Sequence, residues 1–438
     1  MTYMLRALLL ASLSVAEAQR IGTAIPEVHP KLSTQKCTRD GGCVTQATSV
    51  VADALSPSRP FHVLQPQPPG LGPVPHGPEP LPDAAACATA CEFEGVDYAG
   101  MGVTTDGSAL TMRLFMPNKT GGYERVAPRL YLAAEEDVNY EAVRLLGQEL
   151  TFDVDMSLLG CGLNAALYLD EMDFSGSRSE TNPAGAQYGT GYCDAQCYNK
   201  TFVNGVPNLN NSGACCHEMD IWEANSLATA IAPHPCSKPG PFICTGDECG
   251  GTGAGVCDKS GCSLNPYKTV GHDFYGPGMA VDTKRPFTVV TQFWTQNSNN
   301  SSSAAGGNLS EIRRLYIQDG QTITTSGSPE KAGGGSRDNN TVTPKFCASS
   351  GKDSAFERLD GLEAAGAALG RGMVLIFSIW NDVTGFMNWL DAGEAGPCGP
   401  TDGAPDKILA ANPDVAVTFS NIRWGDIGST TTTRRVEV

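Results

Sequence analysis

A chain of 438 residues with 47 acidic against 30 basic side chains carries a formal net charge of −17. That balance argues against nucleic acid or an anionic membrane as a partner, since both require basic surface. Sixteen cysteines, 50 glycines, 29 prolines and only 18% charged residues describe an extracellular, turn-rich β protein rather than a cytosolic helical one.

Residues 1–18 read as a secretory signal. Arg6 supplies the positive n-region, Ala7 to Val15 the apolar stretch, and Ala16-Glu17-Ala18 a small-x-small cleavage site. The mature chain then begins at Gln19, and a secreted, extracellular protein is expected. That apolar stretch is too short for a bilayer, and no later segment reaches about 20 apolar residues. Between 54 and 82 the prolines are too dense for inner sheet strands. The runs 102–105, 129–132 and 150–155 alternate apolar with polar or small residues, as half-buried antiparallel strands do. In the following run, 161–169, Asn164 and Tyr168 are four apart and share a face, with core packing the lesser alternative for Tyr168.

Three acids, Glu218, Asp220 and Glu223, lie within six residues of one another beside Trp222, just after Cys215, Cys216 and His217. On a strand Glu218 and Asp220 point to the same face, and strict alternation sends Glu223 to the other. A bulge or a strand end must therefore bring Glu223 round. Crowded carboxyls push their pKa values apart, so one can stay protonated while another is ionised. Glycoside hydrolysis needs that division of labour, with a nucleophile or base and a proton donor flanking the scissile bond and Trp222 nearby. A solvated acidic strand end is the competing reading. Metal binding by Cys215, Cys216 and His217 fits poorly with secretion, which favours disulfides.

Further on, His234 sits in a proline-flanked turn, where a structural histidine is the plainer reading. The serine-, glycine- and asparagine-rich stretches 297–307 and 326–340 read as exposed loops. An alanine- and leucine-rich stretch over 359–369 predicts a short helix. The continuous apolar run 373–380 predicts a strand buried on both faces. Trp380 and Trp389 suit either core packing or stacking against pyranose faces. Sequons at Asn118, Asn199, Asn210, Asn299, Asn300, Asn308 and Asn339 mark surface loops if they are glycosylated. No linker divides the middle of the chain, so a single catalytic domain is expected over 19–429, with 430–438 a short tail and no further binding module.

The stretch Cys215 to Ser226, Cys-Cys-His-Glu-Met-Asp-Ile-Trp-Glu-Ala-Asn-Ser, resembles the signature of glycoside hydrolase family 7, the fungal cellobiohydrolases and endoglucanases. The runs 93–98, 189–197, 232–236 and 420–429 resemble it too, so the likeness covers nearly all of 94–429 and about half of what precedes. It departs at 54–82, where a tryptophan-rich strand and two cysteines are missing; the stretch is either an insertion replacing a strand or a misread piece of the gene. Cys87 and Cys91 are left to pair with each other or to stay free.

The resemblance implies an all-β, concanavalin-like jelly-roll sandwich of two large antiparallel sheets, with long disulfide-tied loops and an open substrate groove. It makes Glu218 the nucleophile and Glu223 the general acid/base. Asp220 is hydrogen-bonded to the nucleophile. Retention of configuration follows, with a carboxyl separation of roughly 5–5.5 Å. Asn164, Tyr168, Tyr192, Asp194, Gln196 and His234 face the sugar, His234 also within reach of Glu223. Trp380 stacks on the glycone side and Trp389 on the aglycone side. The implied disulfides are Cys37–Cys43, Cys161–Cys398, Cys193–Cys216, Cys197–Cys215, Cys236–Cys257, Cys244–Cys249 and Cys262–Cys347. No metal or organic cofactor is expected. Short segments between Cys197 and Cys215, between Cys249 and Cys257, and after Trp389 replace the long loops that roof a tunnel in processive members. The expected activity is therefore endo-β-1,4-glucanase, with cellulose as the partner and mixed-linkage glucan or xyloglucan as further substrates of a monomer. The alternatives are a cellobiohydrolase of the same family and a non-catalytic glucan-binding sandwich.

Overall fold

The computed structural model describes residues 19–55, 61–63, 91–200, 202–203, 205–251, 253–296, 307–323, 341–349 and 355–431. Residues 1–18, read above as a signal, Cys87, most of the proline-rich stretch and nearly all of both low-complexity stretches lie outside these residues. Two large sheets form a jelly-roll sandwich. One has seven strands, in the order Thr229–His234, Glu218–Ala224, Asn164–Asp170, Met373–Trp380, Arg129–Ala133 and Ser49–Ala52, with Ala142–Val143 added beside Met373–Trp380. The other has ten, built on Leu309–Gln318, Phe287–Thr295, Gln148–Asp155, Ala416–Asp426 and Thr34–Thr38. Pairing is antiparallel in both, except that Thr34–Thr38 runs parallel to Ala416–Asp426.

The apolar patterns explain these elements. In Met373–Trp380, Leu375, Phe377 and Ile379 enter the core between the sheets, while Val374 and Ile376 join Tyr131, Tyr140, Tyr168 and Tyr192 on the outer face of the seven-stranded sheet. Both faces are covered, so the strand reads as one unbroken apolar run. Between the sheets Phe152, Phe377, Phe419, Trp222 and Trp424 are fully buried, with Phe152 set edge-on to Trp222 at 5.9 Å between ring centroids. The helix expected near 359–369 is Gly361–Arg371, ended by Gly372 at φ 107°. Within the proline-rich region only Phe61–Val63 is described, in a small sheet with Cys91–Phe93 and Arg20–Ile21, apart from the two large sheets.

Disulfides join Cys37 to Cys43, Cys161 to Cys398, Cys193 to Cys216, Cys197 to Cys215, Cys236 to Cys257, Cys244 to Cys249 and Cys262 to Cys347, the pairs set out above. Cys215 and Cys216 are thus both committed, and His217 Nδ1 accepts from the Cys236 N–H at 3.0 Å. Those three residues are not a metal site.

Candidate active site

The acids meet on the outer face of the seven-stranded sheet because the strand Glu218–Ala224 is bulged. Against Asn164–Asp170 its register jumps between Met219 and Trp222, and against Thr229–His234 it jumps between Asp220 and Glu223. Each jump spans one residue more on the acidic strand than on its neighbour, so Ile221 and Trp222 both turn inward. Met219, Ile221, Trp222 and Ala224 are all core residues. Glu218, Asp220 and Glu223 consequently share the other face. The bulge corrects the expectation for Trp222: its ring is fully buried among Phe152, Tyr275, Phe287 and Tyr316, on the side away from the carboxyls. Sequence adjacency misplaced it because the bulge doubles the inward step.

Each carboxyl has its own partner. The Ala195 N–H donates to Glu218 Oε2 at 3.0 Å, a bond delivered by the loop that the Cys193–Cys216 and Cys197–Cys215 disulfides tie to the strand. Asn164 Nδ2 donates to Glu223 Oε1 at 2.9 Å, and Asn164 Oδ1 accepts from the Ala224 N–H at 3.0 Å. Asp220 Oδ2 lies 2.9 Å from His234 Nε2. His234, expected near Glu223, is directly opposite Glu218 in register, so its ring reaches Asp220 along the diagonal. Its Nδ1 lies 2.9 Å from the Asp258 carbonyl, which can only accept, so Nδ1 carries a proton.

Electrostatics follow from that packing. Burial, then the Asp220 charge, pushes Glu218 well above the usual carboxylate range, opposed by the His234 charge and the Ala195 N–H. The same two causes push Glu223 to about 8, against His234 and the Asn164 amide. Burial alone would lower His234, but its bond to Asp220 and the Asp220 and Glu218 charges outweigh it and raise the ring to about 10. An imidazolium between acids offsets one negative charge. Both glutamates are therefore biased toward the protonated form, Glu223 to about 8, while the His234 charge and the Ala195 N–H favour the ionised form of Glu218.

The remaining sequence-predicted residues surround this centre. Tyr168 shares the outward face with Asn164, and its hydroxyl is 3.3 Å from that of Tyr192. Tyr192 is held by the Arg129 guanidinium 3.6 Å above its ring, and Arg129 is paired with Asp53. Asp194 Oδ1 accepts from the Cys197 N–H at 2.9 Å, and Gln196 Nε2 donates to the Lys259 carbonyl at 3.0 Å. Trp380 is in register with Asn164 and packs its ring 6.5 Å from that of Trp389, which is 48% exposed. Trp389 belongs to the short helix Asn388–Asp391. Asp391 Oδ2 anchors that helix by accepting from the Gly162 N–H and from Asn225 Nδ2, each at 2.7 Å.

One residue the sequence reading passed over is Asp170. It lies opposite Glu218 in register, and neither of its oxygens finds a hydrogen-bond partner among the described residues. Burial, then Glu218, Asp194 and Asp220, drives it well above the usual range. The two-residue spacing 164, 166, 168, 170 was the available signal.

Two carboxyls on one face, Glu218 buried and fixed by a backbone N–H and Glu223 half-buried and holding a proton to about 8, suit displacement at an acetal carbon with proton transfer to the departing oxygen. The family model for glycosyl hydrolase family 7 matches residues 21–431. Over 422 residues the chain is 49% identical to endo-beta-1,4-glucanase celB of Aspergillus oryzae, covering 96% of this chain and 97% of that one. The native endocellulase EGI of Humicola insolens is similar in structure, with a TM-score of 0.82, 44% identity, and 94% of this chain and 100% of that one covered. A family 7 cellobiohydrolase from Daphnia pulex gives a TM-score of 0.81 at 32% identity, with the same coverage of 94% and 100%.

Proposed function

The chain belongs to glycosyl hydrolase family 7, and on that premise we propose that it is a secreted endo-β-1,4-glucanase cleaving internal glucosidic bonds of cellulose with retention of configuration. The observation that carries the reading is the bulged strand, which puts Glu218, Asp220 and Glu223 on one face with a separate partner for each. Glu218 attacks the anomeric carbon while the Glu223 proton passes to the departing oxygen, so the C1–O bond breaks and a glycosyl ester forms. Water then adds to that carbon, its proton returns to Glu223, and the ester to Glu218 breaks. Asp220 and His234 form the charge pair that sets both glutamates, and Asn164 fixes the Glu223 carboxyl.

Trp380 and Trp389 are the sugar platforms, with hydroxyl contacts from Tyr168, Tyr192, Asp194 and Gln196. Endo-cleavage is supported by the short segments 198–214, 250–256 and 390–397, which are too brief to roof a cleft. An open cleft also admits mixed-linkage glucan and xyloglucan, and the protein acts as a monomer.

Viscosity and reducing ends followed together on carboxymethyl cellulose test the function, with Glu218→Gln as control. Viscosity loss outrunning reducing-end release, absent in the variant, is the expected result. Cellobiose release with little loss of viscosity would make the protein a cellobiohydrolase instead. An α-configured first product by anomeric proton NMR would overturn retention.

A further inference from the structure

The bulge leaves Ile221 without a register partner on either neighbouring strand. A carbonyl freed inside a core needs a donor. It finds one from across the sandwich: Arg314, on the strand Leu309–Gln318 of the ten-stranded sheet, donates from Nη2 to the Ile221 carbonyl. Its Nε donates to Thr291 Oγ1 at 3.1 Å, from the adjoining strand. The guanidinium carbon is 5.4 Å from the centroid of Trp222, so one side chain engages both inward-turned residues of the bulge. Arg314 is only 3% exposed. A cation is a costly way to fill that space, and an apolar chain of similar volume would fill it with less desolvation. What arginine adds is direction: a planar fork anchored at Thr291 and aimed at one carbonyl.

We propose that Arg314 is a positioning residue for Glu223, holding from the opposite sheet the bulge that turns the proton donor onto the same face as Glu218. The inference rests on the reading of Glu223 as the acid/base. Arg314 does not touch substrate. It sets the backbone two residues before the donor, and a small displacement of a catalytic group costs about 10²-fold in rate.

The test compares kcat/KM, which reports glycosylation, on a cello-oligosaccharide and on dinitrophenyl cellobioside, whose leaving group needs no proton. Arg314→Met is expected to lower the first by about 10²-fold and the second by less than about tenfold, with Arg314→Lys recovering part of the loss. Equal losses on both substrates would reduce Arg314 to a stability role, and no loss on either would remove it from the site; each overturns the proposal. If Arg314→Met does not fold, Thr291→Val, which releases one anchor of the guanidinium, is expected to show the same split at smaller size, and equal losses or none overturn it there. Glu223→Gln is run alongside. If it shows no split between the substrates, the acid assignment itself fails, a result distinct from a failure confined to the Arg314 variants.

Discussion

At the scale of single residues, the proton on Glu223 decides the working range. With Glu223 at about 8, activity should fall as pH rises past that value, where the donor is lost. A pH–rate profile with its alkaline limb near 5 would contradict this. The His234 charge lowers both glutamates, so removing it by His234→Gln should raise both and carry the whole bell to higher pH; an unmoved bell would remove His234 from the electrostatics. Gly261 gives a second route to the same ring. It sits at φ +63°, and a Cβ there would lie 2.6 Å from His234 Cε1. Gly261→Ala should therefore cost activity by displacing the imidazole, with a smaller effect on melting temperature than on kcat.

At the scale of the element, the strand Glu218–Ala224 shows what a sequence discloses and what it does not. Three acids at that spacing demand a bulge, since two-residue alternation cannot put 218, 220 and 223 on one face. The apolar run 373–380 likewise gave its strand with both ends right, and the alternation of 150–155 gave its strand with an error only at the start, which lies at Gln148. The location of Trp222 was not legible, because which residues a bulge doubles depends on the neighbouring strands. The Ala195 N–H, the Asp258 carbonyl and Arg314 come from distant segments, and nothing near Glu218 in the chain points to them. His217 immediately precedes this element and carries a prediction of its own. Burial, outweighing the attraction of Glu171, lowers it to about 4 from 6.5. A depressed histidine contributes stability that is present above 6.5 and is lost as pH falls to about 4, about 3 kcal/mol in all. His217→Asn, whose amide oxygen can accept from Cys236, should flatten the fall of melting temperature over that window. An unchanged slope would mean that other groups govern it.

At the scale of the whole molecule, the Cys161–Cys398 disulfide closes the largest span among the described residues, 237 positions, and joins the turn before the strand Asn164–Asp170 to the segment after Trp389. Replacing both cysteines by serine should lower stability by about 2–5 kcal/mol and loosen the short helix that carries Trp389. An unchanged melting temperature would show that the Asp391 bonds to Gly162 and Asn225 hold that segment alone. The parallel pairing of Thr34–Thr38 with Ala416–Asp426 has a consequence in time rather than space. The backbone N–H of Arg39 is hydrogen-bonded to Asp426, 387 positions away. That last strand lies between Gln148–Asp155 and Thr34–Thr38 in the larger sheet. During synthesis Thr34–Thr38 can pair early with Gly42–Gln46, but its other edge waits until almost the whole chain has emerged. Such non-local pairing makes for slow, late closure, because the sheet cannot be completed until its two most distant segments are both available.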